Sequence, residues 1–356
     1  MKISPDALRA RIAELAHAQW GDFAPPGLAE RWELADALVT ILSGAHGLNV
    51  LTEEDLIEFV ADQRKYGIPD SAYAELATPI GESIAGMAPG YGYQATELIE
   101  SMADIALAFT EAQVPQAIAA RVTHVAPGDG WFHVRLEAPV PIPYSPGQRL
   151  STLLPTPATD PTGNPAGADP ARGEWISLTP AIASNKFGQL EFFLPDAVGH
   201  TPEIGEYWSI GGAHGATLDP KKLNAIGADR TTPGDQPQRL VIITTDSGVA
   251  AAKAITFALL ELDTPPLTYL AFYNAPIYPQ LSGLQQFAAL QPWLTLDPGN
   301  YPDPAQHLAQ LKDLALTSET VLCGAEQDMM VLREELGAAE EACTIMAPDA
   351  TPFWLR

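Results

Sequence analysis

The spacing of apolar residues changes twice along this chain, and those two changes limit what it can fold into. Up to about residue 117 the chain is rich in Ala, Leu and Glu. Its apolar residues recur at helical spacing: Leu34, Leu38, Ile41 and Leu42, then Leu56, Phe59 and Val60. Pro25, Pro26 and Gly27 interrupt an early helix, and Thr52-Glu53-Glu54-Asp55 has the composition of a capped helix start with acids in its first turn. The pattern predicts about five helices and no strand. From Ile118 the period drops to two. AARVTHVAPGDGWFHVRLEAP alternates apolar and polar residues around the turn Pro127-Gly128-Asp129-Gly130, as a hairpin does.

QRLSTLLP, EWISLTPA, GQLEFFLP and EYWSIGG continue the strand-like runs and predict a small antiparallel barrel. PTPATDPTGNPAGADPARG, which interrupts them, reads as a long loop, and GADRTTPGDQPQ as a domain boundary. From about Arg239 short apolar runs alternate with helical ones. LVIITT precedes DSGVAAAKAITFALLEL, LTYLAFYN precedes SGLQQFAAL, TVLCGA precedes EQDMMVLREEL, and ACTIMA follows. That order predicts a parallel sheet with helices on both faces. The expected fold class is therefore multidomain, α plus β-barrel plus α/β, over 1–117, 118–236 and 237–356.

Length and charge narrow the function. A chain of 356 residues is long for one core. Its 44 acidic residues against 19 Lys and Arg give a net charge of −25, which repels nucleic acid and anionic membrane surfaces and, for a protein partner, favours a basic one. Cys323 and Cys343 lie in short apolar runs and read as buried free thiols of a reducing cytoplasm. The opening MKISPDALRARIAELAHAQW has no apolar signal-peptide core, and no run reaches the roughly 18 apolar residues that cross a bilayer. The expected location is cytoplasmic, with no direct membrane insertion. HExxH, zinc-spaced Cys pairs, a P-loop and GxSxG are all missing, so no metal site is expected; Lys253 in GVAAAKAI lacks the glycines of a phosphate loop. His214, among Gly211, Gly212 and Gly215, reads as part of a flexible connector.

Three stretches, in this order, resemble the flavohaemoglobins, which fuse a globin to ferredoxin-reductase-like FAD and NAD(P) domains. DQRKYGIPDSAY (62–73) is similar to their proximal-helix segment, YSPGQRLSTLLP (144–155) to a barrel strand, and LCGAEQDMM (322–330) to the Cys-Gly segment near the nicotinamide site. The resemblance implies a globin-like all-α domain shortened at its start, an FAD-type barrel and a Rossmann-like NAD(P)-type sheet. It also implies haem, FAD and NAD(P)H as the ancestral cofactors and nitric oxide dioxygenation as the usual activity.

Each implied site departs from the family pattern. The position of the haem-ligating histidine is Gln63, whose amide offers no basic ring nitrogen to iron. His17, His46, Tyr66, Met87 and Met102 read as surface or core residues rather than replacements. The family's flavin motif, Arg-x-Tyr-Ser, falls on Glu174-Trp175-Ile176-Ser177. Only Ser177 matches, Glu174 puts a carboxylate where a diphosphate would lie, and Ile176 has no aromatic face. A shifted register would bring in Arg172 or Trp175 instead. The glycine-rich nicotinamide turn is reduced to Thr245-Asp246-Ser247-Gly248, with Asp246 at a helix start and Gly248 the one glycine left. Cys323-Gly324 persists, followed by Ala325 where proline is expected.

The expected reading is a flavohaemoglobin-like pseudoenzyme acting as a protein-interaction or regulatory scaffold. Haem is not expected, and FAD is the one cofactor left open. The alternative is a haem-free, FAD-dependent NAD(P)H oxidoreductase with non-standard contacts. A small-molecule or lipid sensor built on the globin pocket is a third reading that no residue favours. Phe353 and Trp354 either fill the flavin space or anchor a partner, and Tyr91 and Tyr93 are further surface aromatics.

Overall fold

The structure, a computed structural model, describes residues 3–23, 28–43, 52–155, 175–228, 239–273, 281–301 and 303–355. It divides into two compact units. The first takes in 1–118, 211–213 and 351–356, and the second 119–210 and 214–350.

The first unit is helical: α1 (Pro5–Trp20), α2 (Leu28–Arg31), α3 (Leu34–Leu42), α4 (Glu53–Gln63), α5 (Ala72–Met87) and α6 (Gly92–Glu111). Local chemistry sets where these helices start. Ser4 accepts from the Ala7 amide with Pro5 in the first turn of α1, and Thr52 and Asp55 form a reciprocal capping box at α4. Gly67, in the left-handed region at φ +72°, closes the Arg64–Tyr66 turn that follows α4. The apolar faces meet in one core that includes Leu8, Leu34, Leu38, Phe59, Tyr73, Ile99 and Met102, and also Trp354.

The second unit holds two sheets. The first has strands β1 (Ile118–Pro127), β2 (Trp131–Glu137), β3 (Arg149–Leu153), β4 (Trp175–Leu178), β5 (Gln189–Pro195) and β6 (Tyr207–His214), in the order β4-β3-β6-β1-β2-β5. Its β1–β2 hairpin turns at Gly128–Gly130, with the Gly128 amide donating to the Trp131 carbonyl at 2.7 Å. This is the antiparallel, barrel-like layer that the alternating runs predict.

The parallel sheet uses β7 (Arg239–Thr244), β8 (Leu267–Phe272), β9 (Leu294–Asp297), β10 (Glu319–Cys323) and β11 (Cys343–Met346), in the order β11-β10-β7-β8-β9. Helices α7 (Pro220–Ala228), α8 (Val249–Ala258), α9 (Leu281–Leu290), α10 (Pro304–Ala315) and α11 (Glu326–Leu336) accompany it. Central β7 is buried from Leu240 to Ile243, which is why its sequence is a continuous apolar run. Two cores, one containing Leu240 and Ile242 and the other Val241 and Ile243, lie on opposite faces of the sheet. Strand β9 and helix α10 are additions to the sequence reading. Among the described residues no helix is long and apolar enough to cross a membrane.

Candidate functional site

In open parallel sheets the ends of the strands gather ligands, because loops and helix N-termini converge there. At that edge β7 runs into Thr245-Asp246-Ser247-Gly248 and then α8, while β10 runs into Gly324-Ala325 and then α11. The two turns touch. The Thr245 amide donates to the Cys323 carbonyl at 2.9 Å. A β-carbon on Gly248 would collide with that same carbonyl, and one on Gly324 would collide with Thr245 Oγ1. Both glycines are therefore required by the close approach of two strand ends, independently of any phosphate.

The barrel-like layer faces this edge across a cleft of about 620 Å³. Ser177, Leu178 and Thr179 line it from β4 and beyond, Trp131, Phe193 and Pro195 from β2 and β5, and Asp246, Ser247, Val249 and Ala250 from the β7–α8 turn. Asp129 and Gly130 of the hairpin and Pro348 and Asp349 after β11 complete it. Three lining side chains are aspartates, and among the described residues that line the cleft none is Lys, Arg or His. Asp349 Oδ1 accepts from the Glu326 amide at 2.8 Å, so the first N–H of α11 is met by a carboxylate of the chain itself.

The cations nearby are held elsewhere. Lys253 of α8 pairs with Glu191 of β5, and His133 Nε2 and Arg135 Nε lie 2.9 and 3.4 Å from the same carboxylate. Lys253 Nζ also stands 5.5 Å from the centre of the Phe193 ring. Burial alone would raise the Glu191 carboxyl, but His133 and Lys253 outweigh it and bring it down to about 2. Arg149, buried in β3, donates from Nη1 to the Ala350 carbonyl.

Of the flavin-motif positions, Ser177 is exposed to the cleft, and its Oγ lies 3.0 Å from His214 Nε2. Ile176 is half-buried and paired opposite Thr152 of β3, and it does not line the cleft. Glu174 and Arg172 lie outside the described residues. His214 corrects the reading as a connector. Gly211 and Gly212 belong to strand β6, and His214 ends that strand, buried to 2% exposure. Cys323 is fully buried, which pushes its thiol up; Cys343, on the edge strand β11, is half-buried instead of buried, and its thiol is pushed up to about 11. Neither is in a disulfide.

The haem-ligand position lies in the helical unit. Gln63, the last residue of α4, is wholly buried and bonded at both ends of its amide. Its Oε1 accepts from the Glu33 backbone N–H at 3.0 Å, and its Nε2 donates to Glu33 Oε2 at 3.0 Å and to Asp62 Oδ2 at 3.3 Å. Lys65 Nζ pairs with Asp62 at 2.7 Å. Burial raises the Glu33 carboxyl above the ordinary range, against the Trp354 hydrogen bond that lowers it. The donor set at position 63 is thus one amide and two carboxylates, which does not suit an iron porphyrin.

The other residues weighed for iron are dispersed. His17 is exposed on α1, Met102 is buried in the core, and Met87 packs against that core. The half-buried Tyr66 points its hydroxyl at Glu33 Oε1, 3.5 Å away, and His46 lies outside the described residues. Among the described residues no group of three or more His, Cys, Asp or Glu is arranged to hold a metal ion.

Trp354 is buried to 1% exposure in the helical core and is therefore not an exposed anchor. The side chain of Phe353 lies outside the described set. Tyr91 and Tyr93 are exposed, at 41% and 73%. Asp129, Asp349, Glu33 and Glu191 are the site residues that no local motif announced.

Neither a protein-family model nor a curated protein sequence matches the chain significantly. Among solved structures, a flavohaemoglobin from Malassezia yamatoensis with bound FAD and haem is similar over 96% of this chain and 95% of its own, at 15% identity and a TM-score of 0.57. An Amycolatopsis cytochrome P450 reductase is 17% identical over 65% of this chain and 70% of its own, with a TM-score of 0.47. A ferredoxin–NADP+ reductase from Plasmodium falciparum is 13% identical over 65% of this chain and 96% of its own, with a TM-score of 0.45. The full-length likeness gives this chain a flavohaemoglobin-like fold: a helical unit, an FAD-type barrel-like layer and a Rossmann-like sheet.

Proposed function

We propose that this chain is a flavohaemoglobin-like pseudoenzyme that works as a cytoplasmic protein-interaction or regulatory scaffold. The observation that carries the reading is the acid-lined cleft. Asp129, Asp246 and Asp349 face the space between barrel-like layer and parallel sheet, and no Lys or Arg lines it among the described residues. FAD and NAD(P)H are both diphosphates. Two like unit charges about 5 Å apart repel by about 3 kcal/mol at an effective dielectric constant of ~20, and by less where water screens them. Binding such a ligand calls for the opposite sign, usually as an Arg fork or bare helix N–H groups. Here Arg149 serves the Ala350 carbonyl and Asp349 occupies the first N–H of α11.

The haem-free part of the reading rests on Gln63, whose amide is engaged at both ends by Glu33. With a net charge of −25, the partner it fits is a basic protein. The test uses full-length protein purified without added cofactor. Its absorbance spectrum should carry neither Soret nor flavin bands, NAD(P)H should reduce no dye, and capture at moderate salt should return a specific basic partner. A spectrum with either set of bands, or turnover without a partner, overturns the reading.

One observation favours the alternative, a haem-free FAD-dependent oxidoreductase: Ser177 still faces a cleft of about 620 Å³ walled by Trp131. Flavin bands with NAD(P)H-dependent dye reduction select that reading over the scaffold.

A further inference from the structure

Gln63, at the position of the family's haem ligand, is fully built into a local structure. The short turn Phe353–Leu355 packs on α3, and the Trp354 ring reaches the interior of the helical unit, among its largest fully buried side chains. The indole stands edge-on to Phe59 of α4, with ring centres 5.3 Å apart and planes at 77°. Trp354 Nε1 donates to Glu33 Oε2 at 2.6 Å, the same oxygen that accepts from Gln63 Nε2 at 3.0 Å. Residue 63 is thus one carboxylate away from residue 354.

We propose that Trp354 is an internal ligand of the helical unit, seated beside position 63 in the place of a prosthetic group, with Glu33 as the acceptor that fixes it. The chemistry explains three residues at once. A half-buried carboxylate facing a core must be supplied with donors, and Trp354 and Gln63 supply Oε2. An indole N–H needs an acceptor when it is taken out of water, and Glu33 is that acceptor. Glutamine suits position 63 because one side chain both donates to the Glu33 carboxylate and accepts from the Glu33 backbone N–H. A neutral imidazole also has one donor and one acceptor, but its two nitrogens point widely apart across a rigid ring, so it is poorly placed to make both bonds to one residue.

The inference deepens the haem-free reading and rests on it in part. In the full-length chain, the Trp354 indole N–H, assigned in a 1H–15N spectrum by its loss in Trp354→Phe, should exchange slowly with water. Trp354→Ala should lower the melting temperature by about 10 °C, as removal of a large core aromatic does. Added indole should restore much of that loss in Trp354→Ala and leave the wild type unmoved, because only the variant has an empty ring-sized cavity. Hemin titration should give no saturable Soret band with wild type or with Gln63→His, since Trp354 remains seated in both.

An indole N–H that exchanges at once, or a Trp354→Ala variant as stable as wild type, overturns the proposal. One-to-one hemin uptake by Gln63→His alone does so too. If Trp354→Ala does not fold, the wild-type exchange rate and the Gln63→His titration still decide. Hemin uptake by the wild type would sink both this inference and the haem-free reading, whereas fast indole exchange without hemin uptake sinks this inference alone.

Discussion

Glu191 offers the sharpest test of how the second unit is held together. Its carboxylate, 4% exposed in β5, faces His133 and Arg135 from β2 and Lys253 from α8. The folded carboxyl titrates near 2 instead of 4.5. A gap of that size corresponds to about 3 kcal/mol of folding stability, at 1.36 kcal/mol for each pH unit. The sign follows from the depressed value. The contribution is complete above the unfolded value near 4.5, shrinks as pH falls, and is gone below about 2.

Glu191→Gln keeps the shape and removes the charge, so at pH 7 it should cost about 3 kcal/mol. The cost can reach about 5 if Lys253 is left buried without a counter-charge. Urea unfolding of the full chain, followed by far-ultraviolet circular dichroism at pH 7, 5 and 3, measures this directly. Wild type should lose stability steeply between pH 5 and 3, and the variant should lose less over that interval. Equal urea midpoints at pH 7, or parallel pH profiles for the two proteins, would refute the reasoning.

Further predictions concern the cleft and the thiols. Gly248→Ala should destabilise by about 1–3 kcal/mol in thermal unfolding, because its methyl group meets the Cys323 carbonyl across a gap fixed by backbone. In native protein at pH 7, a thiol reagent should label Cys343 slowly and Cys323 more slowly still, with both reacting quickly in denaturant; rapid native labelling of Cys323 would contradict its burial. The double substitution Asp246→Asn with Asp349→Asn should tighten NADH binding at least tenfold in calorimetry, and no change would mean that the acids are not what excludes the dinucleotide.

The fold was largely legible because its signals are local. Buried strands such as Leu240–Ile243 need continuous apolar runs, and the β1–β2 hairpin needs its Pro-Gly-Asp-Gly turn. Strand β9 leaves no clear signal in the sequence because it is four residues long and two of them, Thr295 and Asp297, are polar. The site was legible only in part. Ser177, Asp246 and Gly248 sit at motif positions, but Asp129 comes from a hairpin turn and Asp349 from the loop after β11, and only the fold brings them to one cleft. Glu33 and Trp354 are 321 residues apart, and nothing in either neighbourhood points to the other.

Those hidden partners change what the departures from the family pattern mean. A ligand histidine replaced at random by glutamine would leave a buried amide without partners, at a cost of about 1–3 kcal/mol for each lost bond. Gln63 has no such deficit, because Glu33 accepts from it and donates to it. Likewise a carboxylate beside a dinucleotide phosphate would be repelled by it, yet Asp349 is stabilised by the α11 N-terminus that it caps. Gly248 and Gly324 remain under a steric requirement that needs no ligand. At each of these positions a group of the chain itself meets the physical demand that a cofactor would otherwise create. Under the proposed cofactor-free reading, this arrangement fits a framework rebuilt to stand without cofactors better than an enzyme from which they have merely been lost.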